Sequence, residues 1–190
     1  MLLGHFLTAQ NTNNLESFKD FAQSYQKTNQ AGMWILGTWA VGNMLVGGIG
    51  WANNKQGETR YFQQMNFAWN IVNVSLAGFG LYQAYNFNEA ITWQEVFVQH
   101  HTMQKILLFN AGLDVGYIAT GFFLLEKSKN TNRLPERLSG FGKSLILQGS
   151  FLLLFDVSMA LAHQPNGKKM QKFLEKVQIQ GSSLSFRHYF

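Results

Sequence analysis

The chain has 190 residues, a formal net charge of +5 and no cysteine; 13% of its residues are charged and 15% are aromatic. Soluble domains carry about a quarter of their residues as charges, so this composition argues against an ordinary soluble surface. The absence of cysteine excludes disulfides, zinc–thiolate sites and thiol redox chemistry.

Residues 1–30 read as a polar N-terminal segment. Its start, "MLLGHFLTAQ", lacks the basic region and long apolar stretch of a secretory signal. Leu15, Phe18, Phe21 or Ala22, and Tyr25 share one helical face, which predicts a short amphipathic helix at the membrane surface.

The positions of the charges define the middle of the chain. None occurs between Lys27 and Lys55, or between Arg60 and Glu89. Only Asp114 lies between Lys105 and Glu126, and only Asp156 between Lys143 and Lys168. A hydrocarbon core of ~30 Å takes ~20 helical residues. The windows predict four transmembrane helices at 31–52, 62–85, 104–125 and 142–163 within one domain, 31–163. Trp34, Trp51, Tyr61, Tyr82 and Tyr85 fall near their ends, as interfacial aromatics do. A soluble bundle would show charged faces at helical period, and these segments have none.

The connections are polar. Between the second and third spans, "NEAITWQEVFVQHH" is too polar to cross, and Ile91, Trp93, Phe97 and Val98 are placed at the membrane surface. Residues 126–143 form a basic loop with Pro135 as a breaker. The tail, 164–190, contains the basic amphipathic stretch "GKKMQKFLEKVQ", suited to anionic lipid or to a solvated helix.

The chain also repeats itself. A shift of 71 sets "ILGTWAVGN" (35–43) on "ILLFNAGLD" (106–114), so that Asn43 meets Asp114. A shift of 83 sets "NVSLA" (73–77) on "DVSMA" (156–160), so that Asn73 meets Asp156. The expected fold is an all-α integral membrane four-helix bundle made of two tandem, similar hairpins. Its pseudo-two-fold axis would run along the membrane normal, with short amphipathic terminal and loop helices outside.

Within the bundle, Asn66, Asn70, Asn73, Ala77 and Gly80 step by three and four along one stripe. Trp39, Asn43, Gly47 and Gly50 do the same on the first span, and Asn110, Asp114, Tyr117 and Gly121 on the third. That spacing is the seam of a left-handed bundle. A polar core of Asn43, Asn70, Asn73, Asn110, Asp114 and Asp156 is therefore expected, with Trp39, Tyr117 and Gln148 closing it. Lipid offers such groups no partner.

"WAVGN", "YFQQMNFAWNIVN", "NAGLDVGYI" and "GFGKSLILQGSFLLLFDVSMALAH" resemble a bacterial family of small four-helix membrane proteins without an assigned function, over residues 32–163. The resemblance implies a four-helix membrane fold and carries over no catalytic residue.

Two roles fit the polar core. It can fix helix register through interhelical hydrogen bonds, or it can hold a proton or cation between its carboxyls. His100, His101 and His163 fall on one membrane side. They are either interfacial histidines or, with Glu89 or Glu95, ligands of a metal or haem. "VGGIG" (46–50) lacks the Lys and Ser/Thr of a phosphate loop, and Ser75 and Ser158 have no histidine at their depth. No catalytic residue is assigned.

The expected function is a non-enzymatic, transport-like or complex-assembly membrane module; the alternative is a haem- or metal-binding membrane protein. The expected location is a bacterial inner membrane. The expected partners are the lipid bilayer, anionic head groups, and a second copy or a membrane complex, not nucleic acid. The basic loops and the basic tail point to opposite orientations.

Overall fold

Four helices make up the described residues, 2–86 and 93–186, of the computed structural model: α1 (Leu2–Asn53), α2 (Glu58–Tyr85), α3 (Trp93–Lys129) and α4 (Pro135–Phe186). No strand occurs among them. Residues 1, 87–92 and 187–190 lie outside the described residues, and with them Glu89 and Ile91; the side chains of Leu15, Trp93 and Lys176 do so as well.

The helices overrun the spans expected within them. α1 runs back to Leu2, because no proline interrupts its polar start. Pro135 does not break a helix; it is the first residue of α4, where its missing N–H has no intrahelical partner to lose. Leu134 turns the chain just before it, with a φ of 56°. At 165, proline sits inside the helix and α4 continues to Phe186. Its ring removes the hydrogen bond to the Leu161 carbonyl. Gly57, with a φ of 92°, caps α2 in the left-handed region that favours glycine.

α1 packs along α2 and α3 along α4, giving two hairpins. α4 joins them by packing on α2 and α1 as well, whereas α1 and α3 barely touch. Small residues allow the closest approaches. A Cβ built on Gly121 or on Gly142 would lie 2.7 Å from the other's carbonyl oxygen, so α3 and α4 meet backbone to backbone.

The bundle is apolar outside and polar within. Leu45, Ile49, Val72, Phe79, Leu108, Phe109, Phe123 and Leu154 are exposed, while Asn66, Asn70, Asn73, Asp114, Gln148 and Asp156 are buried. In water this arrangement would expose a large adhesive surface; in hydrocarbon it is the favoured one. Three stretches are long and apolar enough to cross a membrane: Phe18–Asn53, Phe97–Lys129 and Pro135–Lys172. α2 is long enough at 28 residues. It falls short in hydropathy because its inner face carries Gln63, Asn66, Asn70 and Asn73.

Two apolar clusters close the interior. Leu36, Ala77, Leu107, Phe155 and Met159 draw on all four helices. The second joins Phe21 and Tyr25 to Met170, with Phe18 and Phe97 against them. The apolar face of the N-terminal segment therefore packs on protein. α4, by passing through Pro165, supplies the Met170 surface that covers it.

Candidate functional site

The buried polar side chains form three layers along the bundle axis. The first is a closed ring of hydrogen bonds over α1, α2 and α4. The Trp39 indole N–H donates to Gln148 Oε1 at 3.2 Å, and the Gln148 amide donates to Asn66 Oδ1. Asn66 Nδ2 donates to Asn43 Oδ1 at 3.1 Å, and Asn43 Nδ2 returns to the Trp39 carbonyl at 2.9 Å. Gln148, Asn66 and Asn43 each accept and donate in turn, so the bonds from the Trp39 indole to the Trp39 carbonyl polarise one another in the same sense. Phe151 stacks on Trp39, centroids 3.9 Å apart, and holds the indole in place.

The second layer lies one to two turns deeper. Asn70 Nδ2 donates to the Asn66 carbonyl at 2.7 Å, and Asn73 Nδ2 donates to Asn70 Oδ1 at 3.2 Å. From α3 and α4, the carboxyls of Asp114 and Asp156 come side by side. Both residues are buried, and neither has a Lys or Arg partner among the described residues. Two ionised carboxylates have no donor to offer each other, so a hydrogen bond forms between such a pair only when one carries a proton. Asp114 Oδ2 has no hydrogen-bond partner among the described residues.

The cluster of Leu36, Ala77, Leu107, Phe155 and Met159 then separates this layer from the third. There His100 and His163 are buried with their ring centroids 6.0 Å apart. Tyr25 lies against both, at 5.8 and 5.3 Å. The Asn166 amide nitrogen stands 3.4 Å from both His163 Nδ1 and Thr28 Oγ1.

At the opposite end of the bundle, outside the apolar stretch, the Glu58 carboxylate accepts hydrogen bonds from Lys143 Nζ and, at 2.5 Å, from Ser139 Oγ. The Lys143 ammonium, and then the Ser139 hydroxyl, hold the Glu58 carboxyl below its ordinary value of 4.5.

The six residues expected in the polar core thus fall into separate groups. Asn43 belongs to the amide ring, Asn70 and Asn73 to a ladder on α2, and Asp114 and Asp156 to each other. Asn110 is half-buried, with no side-chain hydrogen bond described. Among the histidines, His100 and His163 come together. His101 is exposed and its ring rests on Phe97, centroids 4.4 Å apart. The His101 ring also stands 6.0 Å from that of His100, at 79°, but on the exposed side of α3. Among the described residues no three His, Asp or Glu side chains converge as a metal cluster.

Ser144, Tyr25 and Asn166 are further buried polar residues that charge and repeat do not single out. Ser144 lies four residues before Gln148 and Asn166 three after His163, so the three–four stripe of α4 is the signal that points to them.

Residues 35–157 match the model of a family of unknown function, DUF6992. The matched stretch contains the amide ring and both aspartates and ends before His163. No curated protein and no solved structure matches the chain.

Proposed function

The chain belongs to DUF6992, a family of unknown function, and we propose that it is a non-enzymatic, transport-like membrane module that holds a proton or small cation at the Asp114–Asp156 pair. The juxtaposition of two buried carboxyls without a cationic partner carries this reading. Such a pair trades one proton for a monovalent cation with no change in net charge, so no further charge is left unpaired in hydrocarbon. The amide ring and the α2 ladder line the approach from one end, and the apolar cluster around Leu107 and Met159 closes the other.

α2 serves as a fourth crossing in this proposal. Its outer face exposes Ile71, Val72, Leu76 and Phe79, which supports contact with lipid. Tandem hairpin symmetry belongs to the same reading. It is supported by the likeness of NVSLA to DVSMA and of ILGTWAVGN to ILLFNAGLD. Helical crossings fit a bacterial inner membrane, since outer membranes are crossed by closed barrels. Exposed Lys168, Lys169 and Lys172 suit anionic head groups.

A second reading, an assembly partner, is favoured by one observation. Gly112 and Gly116 lie one turn apart on the exposed face of α3, where a Cβ added to either would meet nothing within 4 Å. A neighbouring helix, from a second copy or another subunit, can approach closely there.

Purified protein in liposomes carrying an entrapped pH dye tests the leading reading. Imposed proton, sodium and potassium gradients should collapse faster than in protein-free vesicles, and Asp114→Asn and Asp156→Asn should abolish the difference. Wild-type vesicles as tight as empty ones remove the transport-like reading and leave the assembly one, which cross-linking through α3 reads.

A further inference from the structure

We infer that His100 and His163 form a two-nitrogen site for one monovalent copper ion. This site is separate from the Asp114–Asp156 pair and does not depend on the transport-like reading.

The two rings are 1% and 0% exposed. Their centroids are 6.0 Å apart and their planes meet at 78°. Both nitrogens of His100, and Nε2 of His163, have no hydrogen-bond partner among the described residues. Buried polar atoms are seldom left in this state, because water must be given up with nothing in exchange. Tyr25 walls the pair on the α1 side, and Phe21 meets His100 edge-on at 5.9 Å.

The surroundings are those of oriented ligands. The His163 backbone carbonyl lies near the His100 ring. A small movement makes it the acceptor that fixes one nitrogen and frees the other, as outer partners do for ligating histidines. Gly167 leaves that side open: a Cβ there would stand 4.0 Å from His100 Nε2. Asn166 faces His163 Nδ1 at 3.4 Å. An amide can present either its oxygen or its nitrogen. Turned to present oxygen, it accepts from Nδ1–H and leaves Nε2 free for an ion.

The donors select the ion. Metal–nitrogen bonds of ~2 Å place the centroids of two imidazoles on one ion on the order of 6 Å apart. The pair is neutral and no third His, Asp or Glu converges on it among the described residues. A dication would be poorly compensated in so dry a place, and the cost of burying charge is far smaller for a single charge. Imidazole suits copper among the transition ions, and soft thioethers stand next to the pair, outside its two-nitrogen donor set. Met103 lies one turn from His100 and Met159 one turn from His163, and both join Met33 in the adjoining apolar cluster.

The full chain in detergent should be titrated anaerobically, under ascorbate, against the coloured Cu(I) complex of bicinchoninate. Wild type should remove one Cu(I) per chain. X-ray absorption of the loaded protein should show two nitrogen scatterers. His100→Phe and His163→Phe keep a ring in place and should each weaken binding by more than the ~10–100-fold typical of losing an outer partner. Asn166→Ala should fall within that range, and Glu58→Gln, at the opposite end of the bundle, should leave binding unchanged. Folded wild type that takes no Cu(I), a sulfur-dominated copper shell, or Cu(I) retained by both folded Phe variants overturns the proposal. Equal one-to-one binding of Zn²⁺ at the same histidines overturns its monovalent part.

Discussion

Asp114 on α3 and Asp156 on α4 bring their carboxyls side by side inside a bundle whose outer surface is apolar. Such a pairing tolerates an amide in place of one acid, since an amide can both donate and accept, but it does not tolerate a hydrocarbon. Asp156→Asn should therefore unfold within a few degrees of wild type in a thermal scan in detergent. Asp156→Leu should lose ~1–3 kcal/mol, the usual cost of a buried polar group left alone. A Leu variant as stable as wild type would show that the carboxyl pairing contributes nothing to the fold.

Gln148 is the α4 side chain in the amide ring, accepting from Trp39 and donating to Asn66. Gln148→Leu strands both neighbours and should cost ~1–3 kcal/mol. Asn43→Leu should cost less, because Asn43 is only half-buried. Parallel unfolding curves for the two variants measure the difference. Trp39 fluorescence, no longer tied to the amide, should shift in Gln148→Leu.

Glycines at the α3–α4 contact and on the outer face of α3 should behave oppositely. Gly121→Ala and Gly142→Ala force backbone apart at the contact and should each destabilise by ~1–3 kcal/mol. Gly112→Ala and Gly116→Ala meet open space and should leave the monomer as stable as before. If a second helix uses that face, Gly116→Ile should lower the oligomeric mass seen by light scattering.

Glu58 makes an acid-side contribution of defined sign. Its carboxyl is held below the ordinary value of 4.5 by Lys143 first and Ser139 second. The folded state thus binds the Glu58 proton less readily than the unfolded chain does. The stabilisation is complete above that ordinary value and disappears as pH falls through the lower folded one. The pair is solvent-exposed, so the effect is small and weakens with salt. Glu58→Gln should flatten the loss of thermal stability between about pH 5 and more acidic solution, to about the same extent as Lys143→Met.

Leu134 occupies the left-handed region with an exposed side chain. That conformation costs a branched residue ~1–2 kcal/mol, part of which glycine returns through its freer unfolded chain. Leu134→Gly should raise stability by about 0.5–1 kcal/mol, and Leu134→Val should lower it.

The four helices were legible because charge placement is nearly binary: two windows carry no charge and two carry a single aspartate each. The burial of Asn70, Asn73, Asp114 and Asp156 was legible for a related reason. Three–four spacing fixes a face, and a polar face has only the interior to occupy. The partners were not legible. Spacing on one helix says nothing about its rotation against the next, so Asn66 and Gln148, a stripe residue and a rim residue by spacing, prove central to the ring. Helix ends differ from expectation where polar sequence reads as a stop. The Lys19, Asp20 and Lys27 turns of α1 are polar, yet their other face, with Phe21 and Tyr25, has Met170 to pack on. That contact depends on a segment from the far end of the chain.

Pro165 gives the molecule a pivot. A proline within a helix is a natural bending point, and this one stands between His163 and Asn166. Beyond it, the arm of α4 bearing Lys168, Lys169 and Lys172 is joined through Met170 to the N-terminal part of α1. A bend there would carry Asn166 and the basic arm with it, while Asp156, two turns earlier than His163, would keep its register.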